Sequence, residues 1–136
     1  MAAPNRSPAI ESLEKAPFAV ALGLKIESAQ DGVAVARMPY HLMALNDGGP
    51  GAPIHGGAVA SLADFAACAA VWSLAETSRS ATISMTVNYA GFAVKTGLAA
   101  RAAVRRKGNR IASLTVEIRD DSGALVADAL VTYKIA

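Results

Sequence analysis

From Thr82 to Tyr89 the chain alternates strictly: Ile83, Met85, Val87 and Tyr89 fall on one face, and Thr82, Ser84, Thr86 and Asn88 on the other. That period of two predicts a half-buried strand. It returns in Leu98–Arg106 and again in Ile111–Arg119, where Leu114, Val116 and Ile118 share a face, and a last run, Ala124–Ile135, closes the chain. Lys107-Gly108-Asn109 and Asp121-Ser122-Gly123 separate these runs with turn residues. The four segments are expected to form an antiparallel meander. Upstream, Leu24–Gln30 and Val33–Tyr40 flank Asp31-Gly32, a hairpin signal.

The period differs elsewhere. Ile10–Leu22 carries helical signals interrupted by Pro17, which predicts one short helix in two pieces ending at Gly23. Asn46–Pro53 is a loop by its glycines and prolines. His55–Ala70, "HGGAVASLADFAACAA", is apolar or small on nearly every side and reads as a helix expected to end near Thr77-Ser78. A membrane span is the lesser account of it, because alanine supplies little transfer energy and Asp64 would cost roughly 2.5–3.5 kcal/mol near a bilayer centre. A helix without a wide polar face must instead be covered by protein. An antiparallel sheet curled around one central helix does this, and it makes residues 1–136 a single α+β domain. One sheet cannot enclose a helix fully, so a second subunit is expected to cover the remainder.

Composition narrows the function. The net charge of +2 is too small for a general nucleic-acid binder. The single cysteine, Cys68, allows no intrachain disulfide, and no Cys/His cluster has metal-site spacing. Both features favour a reducing, cytoplasmic setting. The N-terminus has no continuous apolar stretch behind a basic start, so no signal peptide is expected.

Asp64 is the anomaly, because an ionised carboxylate in apolar surroundings costs several kcal/mol unless something compensates it. Three stretches around it carry a resemblance: His55-Gly56-Gly57 followed by Leu62-Ala63-Asp64; "TISMTVNYAGFA", Thr82 to Ala93; and the hairpin "RRKGNRIASLTVEIRDDSGALVADA". With these, roughly residues 20 to 135 resemble the hotdog-fold acyl-CoA thioesterases of the phenylacetic-acid-degradation (PaaI-like) type.

The resemblance implies hydrolysis of an acyl-CoA to a free acid and CoA, with CoA as part of the substrate and no separate cofactor or metal. Gly56, at the helix start, would offer its N–H to the thioester carbonyl, where the helix dipole favours developing negative charge. Asp64 matches the catalytic carboxylate, as general base on water or as direct nucleophile. Thr82 matches a hydroxyl that orients water, and His55 positions the carbonyl or braces the loop. The family often carries an Asn or Gln a few residues before His-Gly-Gly. Here the candidate is Asn46, set back behind an extended loop. Arg105, Arg106, Lys107 and Arg110 bracket Gly108, and the CoA phosphates are expected there. The family also implies a homo-oligomer, a dimer or a dimer of dimers, with active sites shared between subunits.

Plainer roles stand beside these. Asp64 can be a structural acid paired with an arginine, and His55-Gly56-Gly57 an ordinary helix start. Thr82 can be a simple strand residue, Asn46 a turn residue, and the basic hairpin a solvated edge. Cys68 fits core packing, and Trp72 with Phe65 and Leu62 forms a stripe suited to core or interface. Two further functions use the same scaffold: a non-catalytic acyl-CoA-binding or regulatory module, and a hydratase or dehydratase. The second lacks its usual His-plus-acid arrangement here.

Overall fold

The computed structural model describes residues 7–74 and 80–135. Two short helices open it. α1 (Pro8–Leu13) starts behind Ser7, whose Oγ accepts from the Ile10 N–H at 3.2 Å. α2 (Pro17–Leu22) starts at its own proline and ends at Gly23, left-handed at φ +70°. Pro17 therefore splits the segment as the sequence suggests. β1 (Lys25–Gln30) and β2 (Val33–Met38) form the expected hairpin. Asp31 and Gly32 both adopt positive φ, 52° and 81°, as a tight two-residue turn requires. A 3-10 turn at Leu42–Ala44, unsignalled in the sequence, precedes the Asn46–Pro53 loop.

The central helix, α3 (Gly56–Trp72), has 17 residues. Its expected end at Thr77-Ser78 lies outside the described residues. β3 (Ala81–Tyr89), β4 (Leu98–Lys107), β5 (Ile111–Asp120) and β6 (Leu125–Lys134) complete one six-stranded antiparallel sheet that packs on α3. Alanines line much of the contact. Ala63, Ala66, Ala67 and Ala70 of the helix, and Ala100, Ala102 and Ala127 of the sheet, are fully buried. Small side chains on both layers bring the backbones close. Among the described residues, no helix is long and apolar enough to cross a membrane.

The strand order is β1-β2-β4-β5-β6-β3, which corrects the four-strand meander. Of the four later strands only β4, β5 and β6 are sequential neighbours; β3 pairs with β6 at the far edge. The reason lies in residues 90–97. Eight residues reach about 26–29 Å when extended, whereas crossing from β3 past β6 and β5 to β4 needs about 14 Å. Local bonds hold this crossing segment in place: the Ala90 and Gly91 N–H groups donate to the Val126 carbonyl, and the Ile54 N–H donates to Ala93.

A second correction concerns β3 itself. Its register with β6 slips between Thr82 and Ser84. Thr82, Met85 and Val87 are half-buried, while Ile83 is 55% exposed. The bulge moves Thr82 to the helix side and Ile83 away from it, reversing the faces that strict alternation assigns.

Candidate active site

Asp64 sits mid-helix and half-buried, facing the bulged start of β3. The Thr82 hydroxyl donates to its Oδ1 at 2.5 Å, a short charge-assisted bond. Among the described residues no cation pairs with it, so the structural-acid alternative finds no arginine to support it. The register slip in β3 is what delivers the hydroxyl.

The other candidate group lies at the start of α3. His55 is the N-cap, and its Nδ1 accepts from the Gly57 N–H at 2.8 Å. That bond leaves Nδ1 unprotonated and places the ring proton on Nε2. The His55 carbonyl accepts from Ala58 and Val59. The Gly56 N–H, at the first helical position, has no acceptor among the described residues. Tyr89, from the far end of β3, donates its hydroxyl to the Gly56 carbonyl at 2.8 Å. A Cβ on residue 56 would meet the Tyr89 ring at 3.3 Å, which explains a glycine here.

A cavity of about 280 Å³ opens at this helix end, lined by Asn46, Ile54, Gly56, Tyr89, Phe92 and Ala93 among others. Asn46 therefore stands with Gly56 and not with Asp64; its N–H closes the loop onto Pro53 at 2.8 Å. Two aromatic side chains, Tyr89 and Phe92, form part of this lining. Met43 lines a neighbouring cleft beside His55, and Trp72 lies at the opposite end of the helix.

The predicted residues thus form three separate groups. Asp64 and Thr82 are together. His55, Gly56 and Asn46 are together two turns away, since eight residues of helix rise about 12 Å. Arg105, Arg106, Lys107 and Arg110, all exposed, surround Gly108 at the β4–β5 turn. That turn lies at the C-terminal end of α3: Ile111 pairs with Lys134, which also pairs with Ala81 at the start of β3. Gly56 and the basic turn therefore occupy opposite ends of the chain, about 25 Å apart along the helix. Arg106, Gly108 and Arg110 line an open cleft of about 460 Å³ there.

Beyond Asp64, Cys68 accepts from the Tyr133 hydroxyl at 3.0 Å. Burial pushes the thiol up to about 11; the Tyr133 bond acts against this and the Asp64 charge adds to it. Burial, followed by the neighbouring Cys68, likewise raises Tyr133. Sequence reasoning missed Tyr133 and Ser80 near the acid. Their signal was faint: a polar-tipped ring in the apolar β6 run, and a serine two residues before Thr82. Among the described residues, no group of three or more His, Cys, Asp or Glu is arranged to hold a metal ion.

The family model of the thioesterase superfamily matches residues 53–127, more than half of the chain. The PaaI protein from the phenylacetic acid degradation operon of Escherichia coli is 27% identical, with a TM-score of 0.83 over 94% of this chain and 90% of that one. The phenylacetic acid degradation protein PaaI of Thermus thermophilus, solved as a point variant, is 28% identical, with a TM-score of 0.77 over 88% and 99%. A hypothetical thioesterase from Streptococcus pneumoniae, solved with coenzyme A, shares the fold at 22% identity, with a TM-score of 0.81 over 93% and 96%. Curated proteins, searched by sequence, give no match. The matched segment runs from Pro53, just before His55, through α3 and strands β3 to β5 into the start of β6. The chain belongs to the thioesterase superfamily and has its hotdog fold, with PaaI proteins among its structural neighbours.

Proposed function

We propose that this protein is an acyl-CoA thioesterase whose reacting acid is Asp64. The observation that carries this reading is the state of that carboxylate: half-buried, bonded by the Thr82 hydroxyl, and without a cation among the described residues. Such a group is suited to take a proton from water or to attack a carbonyl carbon. In the base route, Asp64 accepts a proton as water adds to the thioester carbon. The oxygen of the tetrahedral intermediate then becomes an anion, which a free amide at a helix start stabilises. Collapse expels the CoA sulfur as thiolate, which takes up a proton, and leaves the free acid.

Gly56 is the candidate amide, but not for the Asp64 of its own chain. Reacting atoms must approach to about 3–3.5 Å, and an oxyanion donor to about 3 Å, so about 12 Å between the two groups is too far. A second, antiparallel copy would bring its Gly56 end to this chain's Asp64. Sites shared between subunits of a dimer, or of a dimer of dimers, answer that geometry. In such a site the basic β4–β5 turn and Asp64 come from one chain and Gly56 from the other, leaving the turn to meet the diphosphate and 3′-phosphate of CoA. The S. pneumoniae protein, alike in fold, holds coenzyme A.

The test is CoA release, followed with a thiol reagent across aromatic, short-chain and long-chain acyl-CoA substrates. Wild-type protein is expected to turn over at least one class, and Asp64→Asn to lose at least 100-fold in kcat with the fold intact. Full activity in Asp64→Asn would remove the acid from the mechanism. Binding without turnover across the panel would favour the non-catalytic module.

A further inference from the structure

Asp64, Cys68 and Trp72 follow one another at intervals of four, so they form a single stripe along α3. A polar group meets each of them. The Thr82 hydroxyl donates to Asp64 at 2.5 Å, the Tyr133 hydroxyl to the Cys68 sulfur at 3.0 Å, and the Trp72 Nε1–H to the Ser80 oxygen at 2.7 Å. Ser80 also lies close enough to the Tyr133 phenol to act on it. The result is a row of three polar contacts along one face of α3: Trp72–Ser80, Tyr133–Cys68 and Thr82–Asp64. Burial raises both the thiol and the phenol, so both stay protonated at ordinary pH.

Ser80 and Tyr133 both stand next to Thr82. Ser80 lies two residues before it, and Tyr133 is its direct partner across the β3–β6 ladder. The register slips immediately beyond, between Thr82 and Ser84. Without the slip, Thr82 could not face the helix together with Met85, Val87 and Tyr89. A bulge leaves one residue of the strand without a ladder partner, so side-chain anchors on either side of it bear on where it falls. Trp72 and Ser80 tie the start of β3 to the helix at that point.

We propose that Ser80 and Tyr133 are positioning residues for the reacting acid: they hold β3 in its slipped register and so keep the Thr82 hydroxyl on Asp64. This rests on Asp64 being the reacting acid, and the experiment separates the two claims. Ser80→Ala and Tyr133→Phe are each made alone and in a Thr82→Val background, with Ser80→Thr as the variant that keeps the hydroxyl. Trp72 is the only tryptophan, so its emission reads the contact with Ser80 directly.

Ser80→Ala is expected to shift that emission. Ser80→Ala and Tyr133→Phe are each expected to lower kcat about fivefold to twentyfold with KM within twofold, an effect the size of a lost hydrogen bond to or near a charge. In the Thr82→Val background neither should lower kcat further, and Ser80→Thr should keep the wild-type value. Wild-type kcat in Ser80→Ala and Tyr133→Phe, while Asp64→Asn is inactive, would overturn the positioning role alone. Losses that multiply in full with Thr82→Val would do the same, since they would be unrelated to the Thr82–Asp64 bond. Wild-type kcat in Asp64→Asn would instead remove the assignment of the acid. Should Tyr133→Phe fail to fold, the Ser80 variants decide the matter.

Discussion

The Tyr89 ring lies against Gly56 so closely that its hydroxyl reaches the Gly56 carbonyl at 2.8 Å and its Cζ would stand 3.3 Å from any Cβ there. A methyl at position 56 can be accommodated only by pushing this half-exposed ring aside. Gly56→Ala also gains helix propensity, about 1 kcal/mol, which offsets the tight contact. Stability by denaturant titration is therefore expected to change by less than about 1 kcal/mol. Activity is expected to fall roughly 100-fold if this amide meets the thioester oxygen as proposed, because the methyl crowds it. Unchanged kcat would show that this amide faces no substrate.

His55 holds the same helix start from the other side. His55→Ala removes the acceptor for the Gly57 N–H and should cost about 1 kcal/mol. His55→Asn can cap in the same way and should recover most of that stability. Gly57→Ala tests the contact from the opposite direction, because its Cβ would lie 3.0 Å from the His55 Nδ1 and displace the ring. If activity follows stability through all three variants, His55 is a brace. If His55→Asn is stable but slow, the Nε2–H contributes to the chemistry.

Most of the architecture is legible in the sequence, because periodicity reports which face is buried. Pro17, Gly23 and Asp31-Gly32 mark their boundaries through backbone constraints that no tertiary contact overrides. Succession along the chain does not give the strand order, because eight residues after Tyr89 are enough to skip two strands. Asp64 was legible as a charge out of place. Its partner's orientation was not: Thr82 reaches it through a one-residue slip, and a strict period of two assigns the opposite face. The separation of Gly56 from Asp64 follows from helix rise alone. The placement of the basic turn depends on the strand order and could be fixed only with it.

Cys68 sets an alkaline limit on stability. Its thiol rises from 9.0 to about 11 in the folded chain, chiefly through burial. A raised value means that the folded state holds its proton where the unfolded state has lost it. The stabilisation is thus fully present below pH 9 and is lost as pH rises to about 11. Tyr133 shifts in the same direction. Denaturation curves between pH 8 and 11 should show stability falling, by up to the order of 2 kcal/mol from the thiol, and less steeply in Cys68→Ala. At neutral pH the thiol should react slowly with thiol reagents until the chain unfolds. A flat profile in wild-type protein would mean that the thiol is not desolvated.

The basic β4–β5 turn should act on binding and not on chemistry. Arg106 and Arg110 are exposed and line the cleft beside Gly108. Arg106→Gln and Arg110→Gln are each expected to raise KM for an acyl-CoA about twofold to fivefold, the scale of an exposed ion pair, with kcat unchanged. Added salt should shrink the difference from wild type by screening. The matching pantetheine thioester, which lacks the phosphates, should be indifferent to both variants. Equal effects on the two substrates would place the CoA phosphates elsewhere.

A site that draws Asp64 from one chain and Gly56 from another makes a prediction no single-chain site can match. Asp64→Asn and Gly56→Ala each spoil every site in a homodimer of variants. A heterodimer of one with the other distributes the two defects differently: one site carries both, and the second carries neither. Co-expression with two distinguishable tags and purification through both in turn isolates that heterodimer. Its kcat per dimer is expected to be about half that of wild type, a recovery well above either parent if each has lost roughly 100-fold. Were both groups to act within one chain, each chain of the heterodimer would still carry one defect and no activity would return. The recovered fraction therefore separates the two arrangements without reference to which acyl group the site prefers.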